Sequence, residues 1–108
     1  MLGLTFKENC PDLRNTRVVD VIEALKRYGR ECEVVDRWVD GAEARREYGL
    51  AVQGEPPAEQ RYAAVVAAVA HREFAAWGAE QWQLLLQPGG LLLDFKGIIP
   101  RELQPLRL

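Results

Sequence analysis

The sequence predicts an α/β fold in three layers, with helices on both faces of a parallel sheet of about five strands. Three observations predict it. Strand-like and helix-like apolar periods alternate along the 108 residues, the pattern required by parallel neighbours joined through helical crossovers. Tyr62 to Ala70 is nearly uniformly apolar and valine-rich, as a strand buried on both faces of a parallel sheet is. Glycine and proline fall between the periodic segments, at Gly29, at Gly54 with Pro56 and Pro57, and at Pro88-Gly89-Gly90, where they mark turns.

Taken in order, Leu2 to Phe6 reads as a strand. Thr16 begins a helix whose apolar positions Val18, Val19, Ile22, Leu25 and Tyr28 recur at three- and four-residue spacings, and Gly29 ends it. Cys32 to Asp36 is a second strand, closed by an acid. Asp40 or Gly41 caps a short helix through Ala42, Ala44 and Tyr48, followed by a weak strand at Leu50 to Val52. Tyr62 to Ala70 is the central strand. A helical stretch from Phe74 to Leu86 is interrupted near Gly78, and Pro88-Gly89-Gly90 turns the chain into a last strand, Leu91 to Phe95. The tail from Pro100 has no clear period. Right-handed crossovers make this a Rossmann-like half. With the first three strands running outward in one direction, the strand order reverses between the first strand and Tyr62 to Ala70. Two loops then face each other at the ligand-binding crevice of such sheets, Phe6 to Thr16 and one beginning at His71-Arg72-Glu73.

Composition narrows the function classes. The chain is long enough for one continuous core and reads as a single domain. With 48% apolar and 28% charged residues it is an ordinary globular sequence. Fourteen basic against sixteen acidic residues give a net charge of −2, so no global positive field points to nucleic acid or an anionic membrane. No apolar run spans a bilayer and no secretory leader is evident, so the expected location is cytoplasmic. Cys10 and Cys32 have neither CxxC spacing nor a histidine cluster, which predicts free thiols and no metal.

The chemistry concentrates after the first strand. Lys7 and Arg14 place an ammonium and a guanidinium on one loop, and Asn15 or Thr16 can cap the helix while its free N–H groups point outward. That combination suits phosphate, and Phe6 adds a flat apolar surface for a base or sugar. From the residues alone, anion ligands and solvated surface charges remain equally open for Lys7 and Arg14. Asp36 ends a strand as a ribose-binding acid does, but no GxGxxG precedes it. His71 ends the central strand, where a capping or loop-fixing role outweighs ligand contact. Trp38, Trp77 and Trp82, with apolar helical and strand neighbours, read as packing or interface residues rather than stacking platforms, and Arg45-Arg46 as a solvated helix face.

The string Gly3-Leu4-Thr5-Phe6-Lys7-Glu8-Asn9-Cys10-Pro11-Asp12-Leu13-Arg14-Asn15-Thr16 resembles the opening of the C-terminal domain of the UDP-glucose/GDP-mannose dehydrogenase family. Within that family it is most similar to bacterial UDP-N-acetylhexosamine 6-dehydrogenases of surface-polysaccharide synthesis. Val34-Val35-Asp36 with Trp38-Val39-Asp40, Ala68-Val69-Ala70-His71-Arg72-Glu73-Phe74 and Leu92-Leu93-Asp94-Phe95-Lys96-Gly97 extend the resemblance, in the right order, over almost the whole chain, read as one domain of residues 1–108. It implies a single C-terminal UDP-sugar-binding lid domain in which Phe6 and Lys7 contact the nucleotide-sugar. Arg14 reaches toward NAD held by the preceding domain. Lys96 stands where some relatives carry a nucleotide-sugar-binding arginine.

The family oxidises an alcohol to a carboxylate in two hydride transfers to NAD, through a cysteine that forms a thiohemiacetal and then a thioester. This chain has no dinucleotide fingerprint, central helical region or catalytic cysteine segment, and Asp36-Arg37 replaces a common Asp-Pro pair. The resemblance therefore implies no catalytic residue here and no activity in isolation. The expected partners are a UDP-sugar and the remaining domains of the dehydrogenase, with a homodimer left open. Two alternatives stand beside this reading. One is a noncatalytic structural or interaction module that retains the fold without a ligand, and the other a stand-alone enzyme using His71.

Overall fold

The first three residues run down the middle of the sheet. In this computed structural model, which describes residues 1–58 and 61–107, Gly3 N–H donates to Val35 O and Val35 N–H to Met1 O, each at 2.9 Å. On the other side Leu2 N–H donates to Val66 O at 2.8 Å, and Ala68 N–H to Leu2 O at 2.9 Å. Leu2 is thus bridged in parallel to both Val35 and Ala67. It joins a two-stranded ladder, β1 (Val34–Val35) with β2 (Val52–Gln53), to a three-stranded one, β3 (Tyr62–Ala67), β4 (Leu86–Asp94) and β5 (Leu106–Arg107). Across the sheet the order is β2, β1, the Leu2 segment, β3, β4, β5, all parallel. This is the doubly wound order, and it reverses between Leu2 and β3 as the sequence predicts.

Helices cover the two halves from opposite sides. α1 (Val18–Arg27) and α2 (Gly41–Tyr48) enclose a cluster of Leu4, Leu13, Ile22, Val34 and Ala44. Asp40 caps α2, its carboxylate accepting from Ala42 N–H at 2.9 Å and Glu43 N–H at 3.3 Å. On the other face, α3 (Arg72–Ala75) and α4 (Ala79–Leu84) bring Phe74, Trp82 and Leu85 against Leu2, Val35, Val65, Ala67 and Leu92. Phe74, Trp77 and Trp82 pack edge to face, with ring centroids 5.1 and 5.0 Å apart. The α/β class, the layers and the sheet direction are as predicted.

Several boundaries differ, each for a local reason. The first strand is not Leu2 to Phe6: beyond Gly3, the N–H groups of Leu4 and Thr5 turn to a side-chain carboxylate instead of a neighbouring strand. The second strand contracts to β1 and the third shifts from Leu50–Val52 to β2, because Val34 pairs with Val52 and Val35 with Gln53. The central strand stops at Ala67, and its Ala63 and Ala64 are exposed. The partner register jumps there from Tyr62↔Leu86 to Ala64↔Leu91, so Gln87–Gly90 bulges opposite Ala63. Pro88-Gly89-Gly90 therefore interrupts β4 from within rather than preceding it. Gly78 divides the predicted Phe74 to Leu86 helix into two short ones, its N–H held by Gln81 Oε1 at 3.1 Å. The aperiodic tail contains a 3₁₀ turn (Arg101–Leu103) and the edge strand β5. Two residues of strand are too few to give a period.

Gly3 carries the transition from sheet to loop. Its φ is +97°, and a Cβ there would lie 2.5 Å from Val69 Cβ and 2.9 Å from Val69 N. Any side chain is both strained and overlapped by backbone. Gly3→Ala is expected to destabilise the fold by about 2–4 kcal/mol, combining left-handed strain with overpacking. Urea unfolding of the two chains measures this, and an unchanged midpoint would refute the close approach.

Candidate functional site

The loops at the carboxyl ends of the strands are built around Asp36, which directly follows β1 and has 1% of its surface exposed. Its Oδ2 accepts from Leu4 N–H at 2.7 Å and Thr5 N–H at 3.2 Å, and lies 2.8 Å from His71 Nε2. Its Oδ1 accepts from Trp38 N–H at 2.8 Å. Burial works against the charge on this carboxylate, but the His71 and backbone hydrogen bonds outweigh it and hold the pKa below the ordinary value. The acid is fully engaged by the protein, so the ribose-type role weighed for its position is taken away. The same Trp38 bond fixes the turn that lacks the Asp-Pro pair.

His71 is completely buried and fixes the loops, the role favoured from sequence. Its Nδ1 accepts from Asn9 N–H at 2.9 Å, which assigns the ring proton to Nε2, facing Asp36 and Thr5 Oγ1 at 3.2 Å. Asn9 is left-handed, with φ 57°, and its Oδ1 accepts from Arg72 N–H at 2.8 Å. The two loops expected to face each other across an open crevice are therefore hydrogen-bonded together. Trp38 lies over this junction, stacked on His71 at 5.9 Å, with the Arg72 guanidinium 5.0 Å from its ring centroid and its indole N–H donating to Glu73. Its neighbours are polar, unlike the apolar surroundings expected for all three tryptophans.

The open space lies on the other side of the Phe6 to Thr16 loop. A groove of about 380 Å³ runs between this loop, the start of α1 and the end of β4, lined among others by Phe6, Arg17, Val18, Phe95 and Lys96. Phe6 and Lys96, from opposite ends of the chain, meet in it. Lys7 and Arg14 do not line it: Lys7 is exposed on the adjoining loop, and Arg14 is 85% exposed and paired with Asp12. Arg14 Nε and Nη2 donate to the two Asp12 oxygens at 3.0 and 3.1 Å, and Arg14 N–H to Oδ1 at 2.8 Å. These bonds lower the Asp12 pKa and raise that of Arg14.

Lys96 is presented by a second buried acid. Asp94, at the end of β4 and 1% exposed, accepts from the N–H groups of Lys96, Gly97, Ile98 and Ile99 at 2.8 to 3.3 Å. Arg107 of β5 closes the arrangement, with Nη1 3.2 Å from Asp94 and Nη2 donating to Ile99 O at 2.7 Å. Neither Asn15 nor Thr16 caps α1 in the expected way. Asn15 is left-handed, while Thr16 Oγ1 donates to Leu4 O at 2.6 Å and accepts weakly from Val18 N–H at 3.3 Å. Sequence reasoning missed Asn9, Arg17, Phe95 and the loop-holding role of Asp94. Asn9 alone left a trace, since asparagine tolerates the left-handed backbone of a tight loop.

The sequence matches the UDP-glucose/GDP-mannose dehydrogenase family, UDP binding domain, over residues 1–101. It is 41% identical over its whole length to a UDP-N-acetyl-D-glucosamine 6-dehydrogenase of Salmonella typhi, covering 25% of that protein. It is 43% identical over its whole length to an enzyme of the same name from Pseudomonas aeruginosa, again covering 25%. Against Protein CapL of Staphylococcus aureus it is 40% identical over 92% of the chain and 23% of that protein. The chain thus spans about a quarter of the curated relatives it matches. Among the described residues, no helix is long and apolar enough to cross a membrane.

The buried Asp36 makes stability depend on acid. Its pKa is lowered in the folded state, so its contribution is complete above the unfolded value of about 3.9 and is lost as pH falls through the lower folded value. Urea midpoints taken from about pH 6 to about pH 3 are expected to fall more steeply for the native chain than for Asp36→Asn. Parallel profiles would overturn the assignment. Asp36→Ala, which strands His71 and three backbone N–H groups, should destabilise by about 3–5 kcal/mol.

Proposed function

We propose, from the premise that this chain belongs to the UDP-glucose/GDP-mannose dehydrogenase family as its UDP binding domain, that it closes over the nucleotide half of a UDP-sugar in a larger NAD-dependent 6-dehydrogenase. The observation that carries this reading is the groove in which Phe6, Phe95, Arg17 and Lys96 converge. Its aromatic rings offer a face to a uracil or a ribose. Its cations, with Lys7 on the adjoining loop, offer charge to a diphosphate. The domain supplies recognition, and the oxidation of the sugar's C6 alcohol to a uronic acid belongs to segments outside this chain.

NAD fits this chain only at its margin. Asp36, the strand-end acid that would take a ribose hydroxyl, is consumed by four protein donors, and no glycine fingerprint precedes it. Arg14 remains as an outer contact. Asp12 holds its Nε and Nη2, which fixes the guanidinium plane while Nη1 has no partner among the described residues. A substrate of the N-acetylhexosamine class belongs to the same proposal, supported by the names of two relatives; cytoplasmic location and a role in polysaccharide synthesis belong to it as well, on the composition and the sequence resemblance.

A single C-terminal domain, residues 1–108, is the unit we assign to this role, with the remaining domains of the enzyme as partners. The second reading, a structural or interaction module without ligand, is favoured by one observation. Leu91 and Leu106 are 54% and 57% exposed. They share the face of β4 and β5 that carries Leu93, since Leu93 pairs with Leu106 and Leu91 is two residues away.

An amide-shift titration of the chain with UDP separates the two. Saturable shifts are expected at Phe6 to Thr16 and at Lys96 to Ile99. Lys7→Ala and Lys96→Ala should each weaken binding about tenfold, the effect of one charge-assisted hydrogen bond. Added salt should weaken it further. Absence of shifts at millimolar UDP would favour the module.

A further inference from the structure

We propose that His71 is a positioning residue for Lys7, held in that role by Asn9; this rests on the nucleotide-binding reading above. The imidazole brackets Lys7 in the chain. Two residues before it, Thr5 Oγ1 lies 3.2 Å from His71 Nε2 and itself donates to Lys7 O at 3.0 Å. Two residues after it, Asn9 N–H donates to His71 Nδ1 at 2.9 Å. One buried ring therefore ties down both sides of an exposed lysine.

The ring itself has little freedom. Asp36 engages Nε2 at 2.8 Å, Trp38 and Phe74 pack around it with centroids at 5.9 Å, and none of its surface is exposed. Asn9 closes the clasp a second time by accepting from Arg72 N–H at 2.8 Å. The base of the loop is pinned separately, by Phe6 N–H on Asp12 O at 2.9 Å. Lys7 and Glu8 therefore sit on a short span anchored at its base and at its tip. Ordering that span before the ligand arrives removes an entropic penalty from binding. Without the clasp, Lys7 keeps its charge but samples many positions.

The proposal predicts an energetic coupling that a merely structural histidine would lack. His71→Gln retains a donor where Nε2 meets Asp36 but removes the acceptor for Asn9 N–H. His71→Asn retains an acceptor near Nδ1. UDP affinity by amide-shift titration is expected to fall about tenfold in His71→Gln, to be largely kept in His71→Asn, and to show no further loss when His71→Gln is added to Lys7→Ala. Where His71→Gln does not fold, Asn9→Gly serves instead. Glycine keeps the left-handed backbone and its N–H but loses the Arg72 bond, and the expected loss is about threefold, again absent beside Lys7→Ala. A folded His71→Gln or Asn9→Gly chain that binds UDP as tightly as the native chain, a folded His71→Asn chain that loses as much as His71→Gln, or losses that add independently of Lys7, would overturn the positioning role alone. A native chain that does not bind UDP would overturn the nucleotide reading, and this role with it.

Discussion

Four donors converge on the carboxylate of Asp36: the N–H groups of Leu4, Thr5 and Trp38 and the imidazole of His71, all within 3.2 Å. A carboxylate so removed from water is tolerated only when its lone pairs are filled, and here the four donors come from three parts of the architecture. Leu4 and Thr5 leave the Leu2 segment, Trp38 follows β1, and His71 follows β3. Their meeting point defines where the three strand ends sit relative to one another. It also explains why the first strand is short, since its next two N–H groups satisfy the acid instead of a neighbour.

The same device recurs at the end of β4. Asp94 gathers four consecutive N–H groups and Arg107, folding Lys96–Ile99 around itself and leaving the Lys96 side chain outside. The groove thus lies between two loops, each held from below by a buried strand-end acid. Of its lining residues Phe6, Arg17 and Lys96 are exposed, while Thr5, Thr16, Ala68 and Val69 are buried and the two acids are fully paired. That division suits recognition: the contact groups stay available because others carry the structural load.

Much of the fold was legible in residue patterns. Alternating periods give the class, the apolar Tyr62 to Ala70 stretch gives the interior strand, and Asp40, Gly29 and Gly78 mark helix ends or breaks. What was lost depends on pairing. β5 has two residues, and only its register with Leu93 and Asp94 makes it a strand. Pro88-Gly89-Gly90 reads as a turn in any sequence, and its place inside a bulged strand follows from Leu86 pairing with Tyr62. The site was legible as a set of names rather than as a shape. The loop string pointed to Phe6, Lys7 and Arg14, but the structure unites Phe6 with Lys96 and leaves Lys7 beside the groove and Arg14 on Asp12.

The sequence by itself determined the α/β class, the point where strand order reverses, and the loop that carries the cationic chemistry. These depend on periodicity and local residue preferences, which neighbouring residues encode. Tertiary structure decided the partners of Asp36, Asp94, His71 and Asn9, and with them which loops are fastened and where space remains. The bonds of His71 to Asp36 and to Asn9 join residues 35 and 62 positions apart. No local pattern specifies a contact whose geometry exists only once three strands lie side by side.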